Sequence, residues 1–343
     1  MLIQDPALAN VVNKKGYTAL HYTLHYTYNE KVAQLLLDKM SPELINAVGT
    51  DGKTALHILA SKGLDTIVNQ LLAKSPELAN VVDKNGKTAL HYASNEKVAQ
   101  LLMDKMSLEL INAVATDGKT ALHVAAQESR EGAVDQLLTK NPMLANVVDK
   151  NGKTALHVAA QDGRERVVDQ LLTKNPMLAN VVDKNGYTAL HYAYNEKVAQ
   201  LLLDKMSPQL INGVATDDKT ALHLAAQKGY EAVVNQLLTK NPALANVVDK
   251  DGYTALHYAS NEKVAQLLLD KMNPKLINAV TTKGYTALHL ARDEKVAQLL
   301  LDKMSPEAVK VVASNGYTAL HEAVENDRYT VVDQLLTKSP MLA

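Results

Sequence analysis

Four residues, Thr-Ala-Leu-His, recur ten times along this chain of 343 residues at nearly constant intervals. Successive copies begin 32, 34 or 36 residues apart, and self-similarity at such a period is typical of arrays in which each unit packs only on its neighbours. We therefore expect one array over residues 1–343, with residues 1–17 as a partial N-terminal unit. The repeats are numbered 1 to 10 by their first residue, which is Thr18, Thr54, Thr88, Thr120, Thr154, Thr188, Thr220, Thr254, Thr286 and Thr318.

Each repeat is predicted to form two short helices. In repeat 5, Thr154 is a good N-cap, and His157 stands where a capping-box side chain reaches back to the cap. Gly163 ends this first helix, because glycine accommodates a left-handed turn. A second helix follows and ends before the Asn-Pro pair at Pro176. Its apolar face is formed by Val167, Val168, Leu171 and Leu172.

Two antiparallel helices and a turn, opened by T-x-L-H-x-A, resemble the ankyrin repeat, and the match covers essentially the whole chain. The resemblance implies an all-α fold, an ankyrin-repeat solenoid of stacked helix–turn–helix units with turn-like or hairpin-like connections. Alanine replaces the proline that usually follows the threonine, a proline that helps a helix begin but is not required. Segments such as NPMLAN and SPELIN predict a short additional helical turn, and less extended hairpin than usual.

Four repeats, which we call clipped, lack one helical turn. In repeat 3 the leucine pair of the second helix begins 13 residues after Thr88, at Leu101, whereas in repeat 5 it begins 17 residues after Thr154, at Leu171. Repeats 6, 8 and 9 share the shorter spacing, and a four-residue insertion in repeat 1 restores the longer one. Four residues are close to one turn, so the second helix keeps its apolar direction. Since a clipped repeat buries less apolar surface, repeats 8 and 9 together are expected to open first.

A glycine stands two residues before TALH in nine repeats, and Asp218 replaces it in repeat 7. If this position requires a positive φ, aspartate costs on the order of 1 kcal/mol relative to glycine. The substitution Asp218→Gly is therefore expected to stabilise the protein.

Composition argues against several classes of function. The net charge is −1, whereas a general binder of nucleic acid or of anionic membranes needs a concentrated basic face. No apolar run approaches the roughly 18 to 20 residues of a membrane span, and no signal peptide is visible. The absence of cysteine removes disulfides and cysteine-ligated zinc, and it fits a reducing compartment. We expect a cytoplasmic protein without nucleic-acid or membrane partners.

The histidines are expected to be structural. Ten of the 11 belong to TALH, and neighbouring repeats would hold them roughly 10 Å apart, too far to share a metal ion. The remaining one, His25, follows His21 by four residues and could face it on a helix, but no third ligand is evident nearby. No convergent nucleophile, acid and base are found, nor a phosphate-binding loop. We therefore expect a non-enzymatic protein without cofactor or metal.

The residue just before each TALH is a candidate for partner binding, because only lysine and tyrosine occur there. We call these residues the tip column: Tyr17, Lys53, Lys87, Lys119, Lys153, Tyr187, Lys219, Tyr253, Tyr285 and Tyr317. Tyrosine offers a large contact area with a polar end and is favoured in interfaces. The alternative is that both residue types are simply tolerated at solvated tips. A second set, Tyr22, Tyr92, Tyr192 and Tyr258, follows the histidine of TALH and is interpreted as filling the space of the missing turn.

The resemblance implies a protein-binding scaffold, monomeric, that holds a partner protein in a groove lined by turn tips and first helices. Near-identical copies such as LTKNPMLANVVDKNG, at Leu138 and at Leu172, indicate recent expansion. Such arrays resemble those that intracellular bacteria direct against host proteins, so an effector in the host cytosol is one setting. The alternative function is a structural spacer or targeting arm of a larger protein, favoured by an array that starts and stops in mid-unit.

Overall fold

The structure is a computed structural model that describes residues 11–22 and 29–338. The chain forms two compact units, Met1–Lys184 and Asn185–Ala343, which hold repeats 1 to 5 and repeats 6 to 10. The described residues form short helices joined by turns and no named strand, with isolated bridges such as Val82 to Thr88 at the base of a tip. The prediction of an all-α fold of helix–turn–helix repeats with little hairpin is confirmed.

The first helix of each repeat begins directly after the TALH threonine, and its length separates the two kinds of repeat. In repeats 2, 4, 5, 7 and 10 it covers Ala55–Lys62, Ala121–Gln127, Ala155–Gln161, Ala221–Lys228 and Ala319–Glu325. In the clipped repeats 3, 6 and 9 it is a single turn, Ala89–Tyr92, Ala189–Tyr192 and Ala287–Leu290, and in repeat 1 the structure describes it over Ala19–Tyr22. In repeat 8 the corresponding turn, Ala255–Tyr258, is a 3₁₀ helix. The missing residues are thus the end of the first helix, as the spacing predicts.

A second helix follows in every repeat, and a short third turn completes repeats 1 to 9. The second helices are Glu30–Lys39, Asp65–Lys74, Glu96–Met103, Glu131–Lys140, Glu165–Lys174, Glu196–Lys205, Glu231–Lys240, Glu262–Leu269, Glu294–Lys303 and Tyr329–Lys338. The third turn is 3₁₀ in repeats 2, 4, 5 and 7, at Pro76–Asn80, Pro142–Asn146, Pro176–Asn180 and Pro242–Asn246. It is a single α-turn in repeats 1, 3, 6, 8 and 9, at Pro42–Ile45, Leu108–Ile111, Pro208–Ile211, Pro274–Ile277 and Pro306–Val309. The additional helical turn predicted from the Ser-Pro and Asn-Pro pairs is present.

The TALH threonine and histidine form a capping box, as predicted. In repeat 4 the backbone N–H of Thr120 donates to His123 Nδ1 at 3.2 Å, and the two side chains meet at 2.9 Å. Because Nδ1 accepts, the neutral ring carries its proton on Nε2, which lies 2.9 Å from the carbonyl oxygen of Lys153 in the next repeat. The same link joins His57 to Lys87 at 3.2 Å and His223 to Tyr253 at 3.2 Å. Each of these histidines therefore caps its own helix and holds the tip of the following repeat.

Aliphatic side chains fill the layers between helices. In repeat 5, Leu156 of the first helix and Val167 and Leu171 of the second are fully buried. Truncating such a leucine to alanine costs about 2–5 kcal/mol in a packed core. Neighbouring layers supply these contacts, since the first helices of repeats 4 and 5 pack side by side.

Long polar side chains occupy the space that a clipped repeat leaves. Arg130 of repeat 4 reaches back to repeat 3, where its Nη1 donates to the carbonyl oxygens of His91 and Ala93 at 3.3 and 3.2 Å. Arg328 of repeat 10 does the same for repeat 9. In repeat 7, Lys228 Nζ donates to the carbonyl of Ala193 at 2.6 Å. A shortened helix leaves carbonyls without intrahelical partners, and these side chains satisfy them.

Candidate functional site

The tips that carry the column are stacked through their backbones. In the first unit, Lys84 N donates to the Asp51 carbonyl at 3.0 Å, and Thr116 N donates to the Asn85 carbonyl at 2.8 Å. In the second unit, Thr282 N donates to the Asp251 carbonyl at 2.8 Å. One such bond per step fixes the spacing of neighbouring tips within each unit.

The tips of repeats 3, 5 and 8 are also closed by a buried aspartate that holds the column residue. Asp149 Oδ1 accepts from the backbone N–H of Asn151 at 2.8 Å and of Lys153 at 2.9 Å. Asp249 Oδ1 accepts in the same way from Asp251 and, at 2.9 Å, from Tyr253. Short side-chain acceptors of this kind stabilise turns. The Asp-Lys-Asn-Gly signal in the sequence thus encodes both the turn and the placement of the residue that ends it.

In the first unit the column is Tyr17 followed by four lysines, and these lysines are half-buried and held by side-chain contacts. Lys53 Nζ lies 4.9 Å from the centroid of the Tyr92 ring, and Lys87 Nζ lies 5.9 Å from the same centroid. Lys119 Nζ donates to Gln127 Oε1 at 2.9 Å. Lys153 makes the equivalent bond to Gln161 at 2.8 Å, and burial lowers the pKa of Lys153.

In the second unit the column is mostly aromatic, and its residues are again half-buried. The Tyr187 hydroxyl donates to Asp217 Oδ2 at 2.6 Å, and Lys219 Nζ lies 3.1 Å from the same oxygen. Tyr253 stacks on Tyr258 with ring centroids 5.3 Å apart. Tyr285 and Tyr317 each lie against the histidine of their own TALH, with centroid distances of 5.7 and 5.5 Å. Each residue of the tip column therefore has defined neighbours together with an exposed portion.

A comparison with protein-family models finds ankyrin repeats over residues 1–79, 60–144, 129–212, 206–278 and 272–341. The chain belongs to the ankyrin-repeat family. Ankyrin repeats are in general modules for protein–protein interaction. The count of ten repeats and the single array over residues 1–343 both stay predictions.

The second tyrosine set has a role in this ankyrin-repeat chain that differs from the interpretation of the sequence. The hydroxyl of Tyr92 donates to Asp83 Oδ2 at 2.7 Å, and that of Tyr258 donates to Asp249 Oδ2 at 2.7 Å. These aspartates close the tips, at the opposite end of the first helix from the missing turn. The space of that turn is instead occupied by residues of the next repeat, such as Arg130. The interpretation of these two tyrosines as fillers of the missing turn is wrong.

Nine of the ten TALH histidines of the ankyrin repeats are buried, and His321 of repeat 10 is exposed. Burial lowers the pKa of His21, His91 and His257 to about 4 in each case. Residues 11–22 and 29–338 contain no group of three or more His, Cys, Asp or Glu side chains that could hold a metal ion. His25, the partner suggested for His21, lies outside the described residues. In that same part of the chain no helix has the length and apolar character needed to cross a bilayer.

Proposed function

We propose that the chain is a non-enzymatic scaffold that binds a partner protein through the tip column and the adjoining first helices. The supporting observation is that the column side chains are held in place before any partner arrives. Tyr187 and Lys219 share Asp217, and Tyr253 stacks on Tyr258. A binding surface with ordered side chains loses less conformational entropy on association, so more of its contact energy is left for affinity.

The column also offers two kinds of partner chemistry. Lys53, Lys87, Lys119 and Lys153 of the first unit favour acidic side chains. Tyr253, Tyr285 and Tyr317 of the second unit favour apolar groups that carry a hydrogen-bonding end. In this proposal the chain acts as a monomer in the cytoplasm, including the host cytosol if it is an effector of an intracellular bacterium.

Partner capture with two matched variants tests the proposal. The first variant changes Tyr253, Tyr285 and Tyr317 to serine, which removes three column rings. The second changes Tyr194 and Tyr329 to serine, tyrosines that are 67% and 81% exposed and lie outside the column. We expect the first variant to lose a protein that the unchanged chain and the second variant both retain, with melting temperatures that show all three folded. Equal capture by all three would place the binding surface elsewhere.

A further inference from the structure

The junction of repeats 8 and 9 differs from the other clipped junctions within the second unit. Elsewhere a full repeat follows a clipped one, and a long side chain of the full repeat fills the gap. Lys228 serves repeat 6 in this way, and Arg328 serves repeat 9. Repeat 8 is followed by a second clipped repeat, which has no first-helix end or following turn from which such a residue could project.

A cavity of about 240 Å³ lies at this junction. Its lining includes Tyr258 and His257 of repeat 8 and Leu290 of repeat 9. Leu290 stands where the other clipped repeats carry Tyr92, Tyr192 and Tyr258. At this position of the lining, repeat 9 therefore has a smaller side chain without a hydroxyl.

The cavity is bordered by two guanidinium groups. Arg328 is fixed, because its Nη1 donates to the carbonyl oxygens of His289 and Ala291 at 3.2 and 3.1 Å. Arg292 takes the place of Ser94, Tyr194 and Ser260 in the other clipped repeats. It is exposed, and within residues 11–22 and 29–338 its side chain makes no hydrogen bond or ion pair.

Two carboxylates beside the arginines, those of Glu322 and Asp293, are engaged by other groups. Burial and then the charge of Arg292 lower the pKa of Arg328, while Glu322 opposes them. Glu322 accepts a hydrogen bond from Asn315, and Asp293 is used as the cap of the second helix of repeat 9. Two like charges at the mouth of one cavity are unfavourable unless an anion lies between them.

One further polar side chain lines the cavity without a partner. Gln227 is exposed, and its amide makes no hydrogen bond in the described part of the chain, whereas Gln127 and Gln161 accept from column lysines. His257, 6% exposed, also lies in the lining, but burial lowers its pKa against the smaller, opposing effect of the backbone of Tyr285 and Ala279, so its ring faces the next tip as in repeats 2, 4 and 7. The lining thus offers the guanidinium of Arg292 and the amide of Gln227 to a ligand.

We propose that this cavity binds the carboxylate of an aspartate or glutamate side chain from a peptide segment, held between Arg292 and Arg328. Guanidinium groups match the planar carboxylate and can bind it with paired hydrogen bonds. The volume suits one acidic side chain, since it equals that of about eight water molecules and lies below the roughly 300 Å³ of small-molecule sites. The inference deepens the proposed function and rests on it for the source of the peptide.

Arginine NMR with short peptides tests the site without the full partner. The sequence has five arginines, so their Nε–Hε signals can be assigned by single substitutions. The probes are acetyl-GGEGG-amide and the matched acetyl-GGQGG-amide. We expect the glutamate peptide to shift the signals of Arg292 and Arg328 to saturation, and to leave those of Arg130, Arg164 and Arg166 unchanged. The glutamine peptide should shift none of the five.

Two substitutions introduce residues that the other clipped repeats carry, and each changes a different part of the site. Leu290→Tyr places a larger side chain in the cavity lining, and Arg292→Ser removes one guanidinium from an exposed position. Each is expected to weaken binding of the glutamate peptide at least about tenfold, as loss of a charge-assisted bond does. Lys295→Ser removes a neighbouring exposed charge outside the lining and should leave binding unchanged. Thermal melting shows which variants are folded, and Arg292→Ser keeps the test valid if the buried change is not tolerated.

Three results would overturn the inference. The first is equal shifts with the glutamate and glutamine peptides, or shifts that do not saturate. The second is unchanged affinity in a folded Leu290→Tyr or Arg292→Ser variant. The third is binding of acetyl-GG(phosphoserine)GG-amide without binding of the glutamate peptide, which would assign the site to phosphate. A fourth pattern separates the two proposals: the column variant loses partner capture while the Leu290→Tyr and Arg292→Ser variants still capture the partner normally. In that case the proposed function stands and only the carboxylate site fails.

Discussion

His123 Nε2 lies 2.9 Å from the carbonyl oxygen of Lys153, so the histidine that caps repeat 4 also holds the tip of repeat 5. Nδ1 of the same ring accepts from Thr120 N, and a ring that accepts at one nitrogen and donates at the other must be neutral. Among the described residues, His21, His57, His91, His123, His223, His257 and His289 all have a pKa lowered first by burial.

Acid is therefore predicted to destabilise the fold. The unfolded chain protonates histidine near pH 6.5, whereas folded His21, His91 and His257 resist until about pH 4. Stability should be complete above about pH 6.5 and should fall as the pH drops toward 4, by about 1.4 kcal/mol per pH unit for each such histidine. Urea unfolding at a series of pH values measures this. A flat profile between pH 7 and 4.5 would contradict the neutral-histidine structure.

The substitution His123→Gln keeps a side chain that can cap the helix but removes the imidazole that takes up a proton. Glutamine can accept from the cap N–H but does not protonate, so the variant should lose one proton from the pH dependence. At neutral pH it should lose about 0.5–1.5 kcal/mol, because the bond to Lys153 is removed. Unfolding at pH 7.5 and pH 5 tests both parts, and an undiminished pH dependence would place the titrating groups elsewhere.

Asp218→Gly is predicted to stabilise the protein by about 1 kcal/mol. Asp218 has a φ of 59°, in the left-handed region that favours glycine. Gly316 supplies the matched control, since its φ is 84° and a Cβ there would meet nothing within 4 Å. Gly316→Asp should therefore cost a similar amount from conformation alone. Melting temperatures of the two variants check this, and shifts of the same sign would reject the conformational explanation.

Arg130→Met is predicted to destabilise the first unit by about 1.5–3 kcal/mol, because the carbonyls of His91 and Ala93 lose a charged donor. The control is Arg166→Met, which removes an ion pair to Glu131 of 3.4 Å from a side chain that is 82% exposed. Such exposed pairs contribute about 0–1 kcal/mol. Denaturant midpoints of both variants test the difference. An equal effect would mean that Arg130 acts as a surface charge rather than as a helix cap.

Repeats 8 and 9 are predicted to open first, over about Thr254 to Ser314. Their first helices are single turns, the first of them is 3₁₀, and a cavity lies between them. Segments that bury little apolar surface have a lower free energy of local unfolding and therefore open more often. Native-state hydrogen exchange should therefore show less protection there than in repeats 4 and 5. Equal or greater protection would mean that the clipped repeats are as stable as the full ones.

Much of this fold is local in the sequence and could be predicted from it. The cap at Thr154, the shortened helix after Thr88 and the strained position at Asp218 all depend on residues a few positions apart. The turn signal before TALH likewise predicts the tip and the place of Lys153. The repeat period and the residue spacing are sufficient to predict an element when the residues that form it are close together in the sequence.

The contacts between repeats could not be predicted in the same way. Arg130 donates hydrogen bonds to backbone carbonyls 37 and 39 residues away. Since every residue has a backbone carbonyl, the residue types do not reveal such an acceptor. The role of Tyr92 was misassigned for a related reason, because its partner Asp83 lies before the helix rather than in the missing turn. The cavity depends on two clipped repeats in succession and on Leu290, a signal visible only when the four clipped repeats are compared.

The most direct test of partner binding at the tip column is photo-crosslinking from defined positions. A benzophenone amino acid replaces Tyr285 in one protein, Tyr317 in a second and Tyr329 in a third, and each is irradiated in lysates of source and candidate host cells. We expect that one protein, identified by mass spectrometry, crosslinks to the first two positions and not to position 329, where the tyrosine is 81% exposed and serves as the control. Crosslinks from Tyr329 alone, or equally from all three positions, would contradict it.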